Sequence, residues 1–195
     1  MIVWRASLPR TGGTVCWRIA LSLLERAGLD YTDLPLADLQ KQPRTLTPDE
    51  ARRPEALPAA WRDGIRVGSM DSFYHPLFYH PAFRVLYVVR DLRAAAVSFS
   101  RLTGQALEAM EPWFKVVLQL AEQIEQLPPD TCLQLSYRED VLDPPRLVQR
   151  IAAFLDLDVE AETLQAVAEQ YESQNLMQRL HRLEHTVLDR LQQIQ

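Results

Sequence analysis

Short apolar runs alternate along this chain with longer stretches of helical periodicity. The runs at 1–8, 65–69, 84–90 and 131–137 are compact and rich in Val, Ile, Leu and aromatic residues, so they read as strands. Apolar positions three and four apart predict helices over 13–28, 93–102, 105–127, 144–155, 160–171 and 174–193. In the first of these, Val15, Ile19, Leu23 and Ala27 form the stripe and Gly28 is placed to cap its end. Strands that alternate with helices specify an α/β fold. The expectation is three layers: a central parallel sheet of about four to five strands, flanked by helices.

Two segments depart from that alternation. Between 34 and 62, Pro35, Pro43, Pro48, Pro54 and Pro58 interrupt any long element, although Thr47-Pro48-Asp49-Glu50 has the form of a capping box. A connection this long either covers a substrate site or runs as an excursion over the surface. The terminal helix over 174–193 carries Leu176, Leu180, Leu183, Val187, Leu191 and Ile194 on one face. That stripe suits a homodimer seam or docking onto the chain's own core.

Composition narrows the function classes. The 195 residues suffice for one domain, and a net charge of −5 argues against a nucleic-acid partner. No apolar stretch is long enough for a membrane span, and strand-like residues begin at Ile2, so a cytoplasmic protein is expected. Cys16 and Cys132 are far apart and apolar-flanked, which fits reduced core residues. His181 and His185 lie four apart without a third ligand, so no metal is expected.

The chemistry concentrates at two strand-to-helix junctions. Ser7-Leu8-Pro9-Arg10-Thr11-Gly12-Gly13-Thr14 leaves the first strand and opens the first helix. Such a junction offers unpaired N–H groups and the positive end of a helix dipole, which together favour phosphate. Gly12 and Gly13 let the main chain approach an anion, Thr11 and Thr14 offer hydroxyls, and Arg10 supplies a permanent charge. The basic residue precedes the glycines, so this is not a Walker A loop, and a small nucleotide kinase is disfavoured. At the second junction Arg90 ends a strand, with Asp91-Leu92-Arg93 following and Ser98 in the next helix. Its guanidinium is expected at the carboxyl edge of the sheet, where open α/β sheets bind ligands.

Taken together, these segments resemble the sulfotransferase family that uses 3′-phosphoadenosine 5′-phosphosulfate (PAPS). Pro9-Arg10-Thr11-Gly12-Gly13-Thr14 is similar to its 5′-phosphosulfate loop, and Val88-Val89-Arg90-Asp91-Leu92-Arg93 with Ser98 to its 3′-phosphate element. Tyr137-Arg138-Glu139-Asp140-Val141 followed by Ile151-Ala152-Ala153-Phe154-Leu155 resembles a third element in the same order. The resemblance implies a P-loop-like sulfotransferase fold in a short, divergent member. It further implies that Arg10, Thr11, Gly12, Gly13, Thr14 and Val15 cradle the 5′-phosphosulfate while Arg90 and Ser98 hold the 3′-phosphate. The implied reaction moves a sulfuryl group onto a hydroxyl or amine of an unidentified acceptor, with Arg10 as the catalytic cation.

Two family features are absent. The strand that often carries a basic residue and a histidine reads Ile65-Arg66-Val67-Gly68-Ser69-Met70-Asp71, and no Arg-Lys-Gly element follows near the C-terminus. The candidates for the missing base are His75 and Asp71, then Asp33. A chain with the clamp and no base has a second reading, an inactive nucleotide-binding or interaction module.

Overall fold

The structure is a computed structural model that describes residues 1–71 and 73–172. Five strands form one parallel sheet: β1 (Ile2–Arg5), β2 (Tyr31–Asp33), β3 (Ile65–Ser69), β4 (Phe83–Val89) and β5 (Cys132–Ser136). Their order is β2-β3-β1-β4-β5. Parallel neighbours cannot be joined by hairpins, so each connection crosses a face of the sheet. Those crossings use α1 (Gly13–Arg26), α2 (Leu36–Gln40), α3 (Pro48–Ala51), α4 (Leu92–Thr103), α5 (Glu111–Glu125) and α6 (Pro144–Phe154), followed by α7 over 161–172. The α/β architecture expected from the pattern is therefore what the chain adopts.

Alternation along the strands divides the core between the two faces. Ile2, Trp4, Val85 and Tyr87 point to one side, where Leu77, Phe78, Val117 and Leu120 cover them. Val3, Leu86, Val88 and Leu135 point to the other, beneath Ile19 and Leu23 of α1, Leu147 and Ile151 of α6, and Val167 of α7. Both faces are covered, which is why the strands read as nearly continuous apolar runs. In register with Trp4, Gly68 leaves room for the indole, because a Cβ there would lie 2.2 Å from its ring.

The proline-rich segment is more ordered than a surface excursion. It contains α2, α3 and two 3₁₀ turns, and it buries Leu39, Ala51, Leu57 and Trp61 in the first core layer. Thr47 caps α3 through the expected box with Glu50.

The helix expected over 105–127 is corrected. Gly104 takes a left-handed φ of 71°, a 3₁₀ turn spans Leu107–Met110, and α5 starts only at Glu111. Pro112 lacks an N–H and its ring would strike a preceding helical turn, so it is tolerated only at a helix start. The terminal helix over 174–193, its homodimer seam, and His181 and His185 lie outside the described residues. Among the described residues no helix is long and apolar enough to cross a membrane.

Candidate functional site

β1 lies in the centre of the sheet, flanked by β3 and β4, and its carboxyl end meets the chain reversal where such folds take ligands. From Arg5 the backbone turns through Ala6–Gly12 into α1. Two residues in this turn are left-handed: Arg10, with φ 66°, and Gly12, with φ 97°. Arg10 is not a glycine, so holding it there costs about 1–3 kcal/mol that neighbouring contacts must offset. One such contact is direct, since Nη1 of Arg90 donates to the Arg10 carbonyl at 2.7 Å.

The same residue is held through its side chain. Nε of Arg10 donates to Oγ of Ser98 on α4 at 3.1 Å. The Arg90 guanidinium lies 4.1 Å from the centre of the Tyr137 ring, a cation–π distance. Arg10, Arg90 and Ser98 are thus brought together as one constellation, with Tyr137 beneath it. The loop that carries Arg10 rests on the same support. A Cβ on Gly12 would fall 2.9 Å from Val141 and 3.2 Å from Tyr137. The third motif therefore forms the floor of the clamp.

That floor is fixed by a buried carboxylate. Asp140 is fully buried; it accepts from Ser136 N–H and is ion-paired with Arg146 and Arg150. Burial raises its pKa, but the Arg150 hydrogen bond, the Ser136 N–H and the charges of both arginines prevail and hold it below the usual carboxylate range.

Two helix N-termini face this region, and only one is open. α4 is capped by Asp91, which accepts from the N–H groups of Arg93 and Ala94. The Arg93 side chain and these amides lower the Asp91 pKa to about 2. No side chain caps α1, so the N–H groups of Gly13 and Thr14 have no intrahelical partner. The α1 terminus therefore has free donors to offer an anion, while the α4 terminus already holds a carboxylate.

The loop residues divide their tasks differently from the expectation. Thr11 is buried and its hydroxyl donates to the Leu8 carbonyl at 2.7 Å, so it closes the turn and has no hydrogen left for an anion. The Val15 N–H is bonded to the Gly12 carbonyl at 3.0 Å. Thr14 is exposed. Ser7 is fully buried and its Oγ has no hydrogen-bond partner. It lies 2.4 Å from where a Gly13 Cβ would be, at the open end of α1.

Behind the loop stands Arg5, which the sequence reading missed. Its Nη1 is 3.3 Å from the Gly13 Cβ position and is ion-paired with Asp71 at the end of β3. The signal was present as an arginine ending one apolar strand and an aspartate just past another. Asp71 is 43% exposed, which leaves its carboxylate open to solvent at the sheet edge. Asp33 ends β2, two strands from β1 and so about 10 Å further along the sheet.

His75 is placed differently. It is fully buried, its Nδ1 accepts from the Leu77 N–H at 3.2 Å, and its ring stacks beside Phe73. Burial lowers its pKa, partly opposed by the Gln42 main chain. None of its contacts reaches the Arg10 loop. Among the described residues, no group of three His, Cys, Asp or Glu side chains is placed to hold a metal ion.

Residues 69–161 match the sulfotransferase family, a segment that includes Asp71, Arg90, Ser98 and Asp140 and starts after the Arg10 loop. The fold is similar to retinol dehydratase in complex with androsterone and the inactive cofactor PAP, with a TM-score of 0.53 and 19% identity over 87% of this chain. A second structure, retinol dehydratase with retinol and PAP, gives a TM-score of 0.50 and 18% identity over 86% of this chain. The chain spans 64% and 63% of those two chains. No curated protein matches the chain. The family resemblance drawn from the sequence is borne out by the matched segment and by the fold.

Proposed function

We propose that this chain, with its sulfotransferase-family segment, is a PAPS-dependent sulfotransferase acting on a hydroxyl or amine acceptor. The observation that carries this is the interlock of Arg10 with Arg90 and Ser98, which makes one clamp from two motifs. The residues present fit the nucleotide. Gly12 and Gly13 form a cradle that a Cβ would fill, α1 is uncapped, and Ser7 Oγ is a buried donor without a partner. PAP, named with the two structural relatives, is the ligand that this site is proposed to hold.

When bound, PAPS would supply the sulfuryl group: the acceptor oxygen or nitrogen bonds to sulfur as the bond from sulfur to the phosphate oxygen breaks, and the electron pair of the broken bond leaves with the nucleotide. Arg10 and the α1 N-terminus would hold the 5′-phosphosulfate and supply positive charge to stabilise the oxygen that leaves. Arg90 fixes the Arg10 main chain, so the cation is positioned before the substrates arrive. Asp71 takes the acceptor proton, held in place by Arg5. His75 serves instead to cap the turn that follows Asp71. Cys16 and Cys132 are free and buried, and burial raises both thiols to about 12, which keeps them protonated and unreactive.

One observation favours a second reading. Asp71 is already engaged by Arg5 and His75 is enclosed, which suits a nucleotide-binding module without transfer. Incubation with sulfur-labelled PAPS separates the two: label on an acceptor establishes the transferase, and PAP binding without transfer to any hydroxyl or amine establishes the module.

A further inference from the structure

A groove of about 580 Å³ runs between the aromatic stretch after β3 and the exposed side of α5. Its volume lies within the range of small-molecule sites, roughly 300–1,000 Å³. One wall is Phe73 and Tyr74, and the other carries Gln119, Glu122 and Gln123 together with the aliphatic Val116 and Leu120, with Arg44 from the proline-rich segment at the rim. Gln119, Glu122 and Gln123 are spaced three and four apart, so α5 presents them on a single face.

The groove is tied to the clamp through the chain. Phe73 lies two residues beyond Asp71, at most about 7 Å along an extended backbone. Its ring is 5.9 Å from that of Trp4, which immediately precedes Arg5 on β1. Arg5 in turn joins Asp71 to the Gly13 end of α1. Asp71 does not itself line the groove, but a molecule seated against Phe73 lies within two residues of the proposed base along the chain.

The lining decides what kind of molecule fits. Two amides donate and accept, Glu122 accepts, Arg44 donates, and the Tyr74 phenol, protonated at neutral pH, can do both. The side chains of Arg44, Gln119, Glu122 and Gln123 are exposed to solvent. An apolar alcohol covering them would strip their water and leave them unpaired, at about 1–3 kcal/mol for each group. Closely spaced hydroxyls would pair with them, while the two rings offer apolar faces to the C–H side of a sugar ring. The mixed donor and acceptor set also disfavours a purely anionic ligand, which could not pair with Glu122.

We propose that this groove binds the acceptor and that the acceptor is a polyhydroxylated, saccharide-type molecule presenting one hydroxyl toward Asp71. This rests on the sulfuryl-transfer function above. The acceptor oxygen gains the bond to sulfur, the nucleotide leaves with the electron pair of the broken bond, and the hydroxyl proton passes to Asp71.

The test uses the full chain in two steps. Calorimetric titration with PAP comes first; absence of binding overturns the underlying function together with this inference. Once PAP binding is established, sulfur-labelled PAPS is offered in place of PAP, with an array of mono- and oligosaccharides and, separately, with 2-naphthol and a primary alkyl alcohol. The expected result is label on saccharides, and a Gln119→Ala/Gln123→Ala double variant whose acceptor KM rises about tenfold, from two lost hydrogen bonds, with PAP affinity unchanged. PAP binding with label on no saccharide, or a double variant with unaltered acceptor KM, overturns the inference and leaves the donor site standing.

Discussion

Nη1 of Arg90 donates a 2.7 Å hydrogen bond to the main-chain carbonyl of Arg10, eighty residues earlier in the chain. The contact joins the end of β4 to the loop after β1, and it holds Arg10 in its left-handed conformation. Because the Arg90 guanidinium also stacks on Tyr137, its planar fork is used in two ways at once. Replacement by alanine is expected to weaken PAP binding by roughly 10–100-fold, the worth of a charge-assisted hydrogen bond. Arg90→Lys should recover little of this, because an ammonium neither stacks as a plane nor forks. Titration calorimetry of both variants reads the outcome, and a lysine variant with full affinity would contradict the assigned geometry.

Arg10 is exposed, so its side chain adds little to stability, and the role proposed for it is chemical. Arg10→Ala should lower kcat by about two to three orders of magnitude, or about 3–4 kcal/mol of transition-state stabilisation. Its melting temperature should stay close to that of the parent protein. Steady-state kinetics with labelled PAPS alongside a thermal melt separates the two effects. A variant with normal kcat would remove Arg10 from the mechanism.

Ser7 offers a contrast between stability and binding. Its Oγ is buried without a partner in the protein, so Ser7→Ala removes an unsatisfied group and should leave stability equal or raised. The same change should weaken PAP binding several-fold, about 1 kcal/mol. Gly13→Ala behaves differently: its Cβ would fall 2.3 Å from that of Ser7, so the loop must shift and both stability and affinity should fall. A Ser7→Ala variant that loses stability yet binds PAP normally would show that the hydroxyl serves the fold.

His75 and His80, both buried, set a pH dependence. Burial lowers the pKa of both His75 and His80 below the usual histidine value. In the unfolded chain they take up protons near pH 6.5, while in the folded chain they resist until lower pH. The unfolded state therefore binds more protons in that window, and stability should decline as pH falls from about 7 through 6.5 toward the folded values. His75→Gln/His80→Gln should flatten this slope in thermal melts across that range. An unchanged slope would assign the dependence to other groups.

The strand and helix order was legible because apolar periodicity reports burial, and both faces of this sheet are buried. β2 escaped because Tyr31-Thr32-Asp33 is short, half polar and at the sheet edge, so pairing with β3 defines it and composition does not. The clamp residues could be read from residue types at strand-to-helix junctions. The Arg5–Asp71 pair could not, because it depends on β1 and β3 being neighbours, a fact of strand order that no local pattern carries. His75 misled for a related reason. A histidine before proline in an aromatic stretch looks the same whether it faces solvent or caps a buried turn, and only tertiary packing encloses it.

The central claim is that one adenosine nucleotide is gripped at both phosphate ends by the interlocked Arg10 and Arg90 motifs. Titration calorimetry of the intact chain with PAP tests this most directly. The expected result is saturable binding without added metal, lost in an Arg10→Ala/Arg90→Ala double variant whose circular dichroism shows a retained fold. An intact, folded chain that takes up no PAP, or a double variant that binds it unchanged, would contradict the claim.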